Sequence, residues 1–176
     1  MTVLDVVWAV LGIALGVLLV YVGVQIGSRR TWRNGGTVVV NAPAETVFAC
    51  LTEPDQLKQW IGGLEASEPL TAEGLCVGAR SREVVVERGR RYELESEVTA
   101  LEEPFALTVV LRHAGFTSTA AYRLTPHDGE TVVELVQHTA YHHWWARVFA
   151  PMVTRAAQRK IEGDLRRLAT VAEAGA

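Results

Sequence analysis

Cysteine is scarce in this chain: among 176 residues only Cys50 and Cys76 occur. Two thiols make no disulfide framework and suit a reducing compartment, where small buried residues are the simplest reading of both. Nucleophile motifs are missing as well. There is no Gly-x-Ser-x-Gly elbow, and neither cysteine stands in a polar motif. The five histidines lack ligand spacing. His138, His142 and His143 lie near one another, but no second cluster accompanies them, and His113 and His127 flank turn signals, so neither a metal nor a cofactor is expected. A basic stripe is absent too. Residues 34–176 carry 14 basic and 19 acidic side chains, which argues against nucleic acid as a partner and against broad adhesion to anionic lipid. Internal repeats and low-complexity tracts are also lacking.

The longest absence is one of charge. No ionisable side chain other than Tyr21 falls between Val6 and Ser28, and Arg29, Arg30 and Arg33 follow at once. About 23 helical residues reach roughly 34 Å, enough for a hydrocarbon core of about 30 Å. A soluble core helix would show a polar face, and here nothing polar but Tyr21 appears before Gln25. A secretory signal would carry a basic start and an Ala-x-Ala-like site, and neither is present. Residues 1–27 are therefore expected to be a transmembrane anchor contacting the membrane through residues 6–28. The arginine flank places the N-terminus outside and the remainder in the cytoplasm, as a single-pass cell-membrane protein. Trp8 and Tyr21 sit near the two ends, where interfacial aromatics collect.

What is present beyond the anchor amounts to one domain. Residues 28–36, "SRRTWRNGG", read as a linker, and 37–173 as the domain. "TVVVNA" is a strand candidate. "PAETVFACL" and "EPDQLKQWI" each open with proline and an early acid, and read as two short helices with Val47, Phe48, Leu51 and then Leu57, Trp60, Ile61 on their inner sides. "GG" at 62–63 stops the second. From Leu64 to Tyr141 the period becomes two. "RYELESEVTAL" alternates Tyr92, Leu94, Ser96, Val98 against Glu93, Glu95, Glu97, and Asp128-Gly129 signals a hairpin. Consecutive strands imply a meander of roughly six. From Trp144 to Ala174 the period returns to 3.6, with Val153, Ala157, Ile161, Leu165, Leu168 and Ala172 as an apolar stripe and Pro151 beginning or kinking the main segment. The fold class is α+β: one helix laid across a curved antiparallel sheet of about seven strands, with a cavity where the helix leaves the concavity unfilled.

"VVVNAPAETVFACLTEPDQLKQWIGGL" and "FAPMVTRAAQRKIEGDLRRLATVAE" resemble the START-like, or SRPBCC, superfamily, in particular its polyketide cyclase/dehydrase-like branch. The resemblance covers about Thr37 to Ala172. It implies the helix-grip fold and a hydrophobic ligand class (lipid, isoprenoid or quinone, polyketide-like), and no particular reaction, because known members include both binders and enzymes.

By strand parity, the residues expected to line the cavity are Trp60, Leu94, Ser96, Val98, Leu107, Val109, Ser118, Ala120, Tyr122, Leu135, Gln137, Thr139, Tyr141, Val153 and Ala157. An apolar wall with a few hydroxyls and one amide suits an uncharged amphipathic ligand; the same groups could equally be satisfied core polar groups. No catalytic residue is singled out. Glu93, Glu95 and Glu97 read as a solvated strand face rather than paired acids. Trp144, Trp145 and Phe149 either pack the last helix onto the sheet or form an apolar lip at the bilayer. The expected function is a membrane-tethered cytoplasmic domain binding a hydrophobic small molecule. Two alternatives stand beside it: a cyclase or dehydratase, which a pocket acid or base would favour, and an interaction module with a vestigial cavity, which large inward side chains would favour.

Overall fold

A computed structural model describes residues 3–28, 31–87 and 89–176. The expected seven-stranded antiparallel sheet and long C-terminal helix are both there. In chain order the elements are α1 (Val3–Ser28), β1 (Trp32–Val40), α2 (Ala44–Thr52), α3 (Pro54–Trp60), β2 (Leu64–Pro69), β3 (Arg80–Glu87), β4 (Arg90–Glu102), β5 (Ala106–His113), β6 (Phe116–His127), β7 (Glu130–Tyr141) and α4 (Trp144–Ala174). The sheet order is β1-β7-β6-β5-β4-β3-β2, antiparallel throughout. The β6–β7 turn is the two-residue hairpin expected. His127 pairs with Glu130, and Asp128 and Gly129 both take positive φ, 47° and 88°, as a turn of matching twist requires.

The linker at 28–36 is corrected. β1 begins at Trp32 and pairs with β7 from Trp32↔Thr139 onward, so Gly35-Gly36 lies inside a strand. The glycines there serve close approach rather than flexibility. A Cβ on Gly35 would fall 2.3 Å from the Leu135 carbonyl oxygen, and one on Gly36 would fall 3.0 Å from Leu165. α4 runs as one helical segment across Pro151, so of the two alternatives for this proline it does not begin the segment.

Packing explains the layout. Ile161, Leu165, Leu168 and Ala172 of α4 are buried together with Val40 of β1, Val47, Phe48 and Leu51 of α2, and Trp60 of α3. Each fully buried aliphatic side chain contributes about 1.5–3 kcal/mol. Asp164 ties α4 to the turn after α3. Its carboxylate accepts from the Gly62 N–H (3.1 Å), from Lys160 (2.9 Å) and from Arg167. Gln158 does the same for β1, accepting from the Gly35 N–H (3.2 Å) and donating to the Gly35 carbonyl (2.7 Å). The outer face of β4 is charged as expected, with Glu95 paired to Arg80 and Glu97 to Arg112.

α1 differs from these elements. Its described side chains are those of Trp8, residues 11–21 and Gly23; Trp8, Leu11, Ile13, Leu15 and Val17–Tyr21 are all exposed. Among the described residues no helix is long and apolar enough to cross a membrane. The expected span at 6–28 is thus not supported, and Arg29 and Arg30, on which the orientation rests, lie outside the described residues.

Candidate functional site

A cavity of about 290 Å³ lies beneath α2–α3, against the inner face of β2–β6. That is near the lower end of the roughly 300–1,000 Å³ usual for small-molecule pockets. Its roof is Leu51, Leu57, Trp60 and Ile61; its floor is Ser96, Val98, Leu107, Val109, Leu111, Ala120 and Tyr122; Leu75, in the β2–β3 loop, contributes to one wall. Trp60 is fixed by its indole N–H, which donates to the Cys50 carbonyl at 2.7 Å. Its ring meets Tyr122 edge to face, centroids 6.5 Å apart. Both cysteines are free, and burial pushes the Cys50 thiol above its ordinary range, with Glu53 adding to the effect, so it makes a poor nucleophile.

Seven expected residues line this cavity: Trp60, Ser96, Val98, Leu107, Val109, Ala120 and Tyr122. Eight do not: Leu94, Ser118, Leu135, Gln137, Thr139, Tyr141, Val153 and Ala157. The reason is that α4 fills the opposite half of the concavity. Its stripe packs over β1, α2 and α3, and the void remains on the β3–β6 side. Ser118, Gln137 and Thr139 instead satisfy one another. Gln137 Nε2 donates to Ser118 Oγ at 2.7 Å, and Ser118 Oγ bonds Thr139 Oγ1 at 2.9 Å. Tyr141 hydrogen-bonds Thr154 of α4. Val153 is 46% exposed. Phe149 and Met152 are exposed beside it, while the side chains of Trp144 and Trp145 lie outside the described residues. Leu135 borders a different hollow, an open groove of about 380 Å³ between β1, β7 and Gln158. In that groove Asn34 Nδ2 donates to Thr154 O (3.0 Å) and to Gln158 Oε1 (3.2 Å).

The expected set left out Leu111 of β5 and the lining residues that α2, β2, β3 and the β2–β3 loop contribute. Glu83 of β3 faces the cavity, and among the described residues lining it Glu83 is the only carboxyl. Burial pushes its pKa up, and a hydrogen bond from Ser96 offsets this in part. Ser81 Oγ lies 2.8 Å from Ser96 Oγ, so the hydroxyls form a chain ending at the carboxyl. The Tyr122 phenol is pushed up by burial first, then by Glu83 and Asp164. The register signal for Glu83 was present in the sequence. Glu87 pairs with Arg90, and in that register Ser81 faces Ser96 and Glu83 faces Leu94 on the inner face. Among the described residues no group of three or more His, Cys, Asp or Glu is placed to hold a metal ion.

The family described as polyketide cyclase / dehydrase and lipid transport matches residues 32–173. No curated protein matches significantly. Among solved structures, a protein from Thermus thermophilus superposes with TM-score 0.67 at 19% identity, covering 82% of this chain and 99% of that one. Ara h 8.0201 gives 0.65 at 12%, covering 82% and 99%. A conserved protein from Geobacillus kaustophilus gives 0.65 at 17%, covering 80% and 95%. At these identities the likeness is one of fold.

Proposed function

We propose that this chain, which belongs to the polyketide cyclase/dehydrase and lipid transport family, binds an uncharged hydrophobic small molecule, of lipid, isoprenoid, quinone or polyketide type, in the cavity beneath α2–α3. The observation that carries this reading is the cavity itself: a mostly aliphatic and aromatic wall interrupted by a few polar groups. The small side chains of Ser96 and Ala120 on its floor count against a vestigial pocket. The test is titration of a fluorescent fatty acid or quinone analogue into the protein, with mass spectrometry of molecules that co-purify with it. Saturable binding that a cavity-filling substitution removes is the expected result; binding indifferent to filling would sink the reading.

The proposal extends to a tether. The large apolar side chains described on α1, from Trp8 to Tyr21, are all exposed. A helix apolar all round needs a covering, and the bilayer is a suitable one. Phe149, Met152 and Val153, exposed at helical spacing on α4, would add an apolar lip at the same surface. Held there, the cavity would meet membrane-dissolved ligands at raised effective concentration. With the arginines on the cytoplasmic side, the domain would be cytoplasmic. A carboxy-terminal reporter active only outside the cytoplasm would overturn the orientation, and release of the full chain from membranes by alkaline carbonate would overturn the tether.

One observation favours a second reading, that of a cyclase or dehydratase: the Glu83 carboxyl on the cavity wall is a candidate acid or base. Turnover of a polyketide-like substrate, lost in Glu83→Gln, would establish it.

A further inference from the structure

We propose that the Glu83 carboxyl is the polar recognition point of the cavity, and that it donates a hydrogen bond to an acceptor oxygen, a carbonyl or ether, at one end of an otherwise apolar, uncharged ligand. This rests on the reading of the cavity as a ligand site. Three features carry it.

The first is isolation from cations. The other charged residue at the cavity, Arg80, is engaged by Glu95, and none of the described ion pairs includes Glu83. A carboxylate on an apolar wall without a cation is costly, and taking up a proton removes the cost.

The second is the neighbouring groups. From β3 comes Ser81, from β4 Ser96, and from β6 Tyr122. Asp164 on α4 also acts on Tyr122, but its oxygens are held by Gly62, Lys160 and Arg167. Ser81 can donate to Ser96, and Ser96 to one Glu83 oxygen. That leaves the protonated second oxygen to donate into the cavity.

The third is economy of burial. A neutral donor meeting a neutral acceptor takes no ion out of water, whereas an amine would have to be desolvated together with an ionised Glu83. Burial of the Glu83 carboxyl already favours its neutral form.

The test uses the full chain in lipid nanodiscs and calorimetric titration of three matched probes, 2-octanone, octylamine and n-octane, with empty nanodiscs as blank. The ketone is expected to bind best, and its affinity to fall as pH rises and Glu83 ionises. Glu83→Gln, whose amide still donates, should keep ketone binding and lose the pH dependence. Glu83→Leu should weaken ketone binding about 2- to 12-fold, the worth of one neutral hydrogen bond, and leave octane unchanged. Tighter binding of octylamine than of ketone, abolished in Glu83→Gln, would overturn the proposal in favour of a cationic ligand. Ketone binding unaffected by Glu83→Leu but lost in Val109→Trp would overturn it while leaving the cavity reading intact. Binding of no probe, or equal binding in Val109→Trp, would overturn both.

Discussion

Two polar clusters occupy the inner face of one sheet and differ in what they leave open. On β6–β7, Ser118, Gln137 and Thr139 close on one another, and Ser118 is 1% exposed. On β3–β4, Ser81 and Ser96 form the same kind of hydroxyl contact, 2.8 Å long, but their chain ends on a carboxyl that faces a void. The first cluster lies on β6 and β7, on the side of the sheet next to β1, over which α4 packs; the second lies on β3 and β4, away from that packing. Paired hydroxyls therefore close on an amide on one side and lead to a carboxyl at a void on the other. The carboxyl at the end of the second hydroxyl chain, and the void it faces away from the helix, make the difference.

The largest effect should come from breaking the closed cluster. Ser118→Trp forces a large ring into a filled site and strands Gln137, with an expected loss of about 3 kcal/mol in denaturant unfolding. An unchanged midpoint would mean that the site is not closed. Val109→Trp makes the same kind of change on the open side. It fills a void, so stability should hold while binding of a fluorescent fatty acid falls by more than about tenfold, or 1.4 kcal/mol. If instead stability collapses, the two sides do not differ as described. Gln137→Leu should cost about 1 kcal/mol of stability and leave ligand affinity alone, since Gln137 touches Ser118 rather than the cavity; weakened binding would place the site on β7 after all.

The smallest effect is in pH dependence. Burial raises the Glu83 pKa. Between the ordinary carboxylate range and the raised value, the folded chain keeps a proton that the unfolded chain has lost. Stability from this group therefore falls as pH rises through that window and changes no further above it. Relative to Glu83→Gln, the unaltered protein should lose stability with rising pH. Parallel stability profiles for the two would show that Glu83 is solvated in the folded chain.

Much of this architecture was legible in local pattern. The 3.6-residue stripe Ile161–Leu165–Leu168–Ala172, the alternation in "RYELESEVTAL" and the Asp128-Gly129 hairpin depend only on near neighbours, and each appears where periodicity put it. Parity also identified an inner face correctly for Ser96, Ala120 and Tyr122. Composition misled at Gly35-Gly36, read as linker, because the requirement those glycines meet comes from Leu135 and Leu165, about 100 and 130 residues away in sequence.

The sequence by itself determined which residues face inward, because a strand turns its side chains with a period of two wherever it lies. Tertiary structure alone decided which inward residues meet a cavity. That depends on where a rigid helix, pinned by Asp164 to Gly62 and by Gln158 to Gly35, comes to rest over a curved sheet. The resting place follows from contacts between distant segments, to which local periodicity is blind. It is why Gln137 is a structural group and Glu83 faces the void.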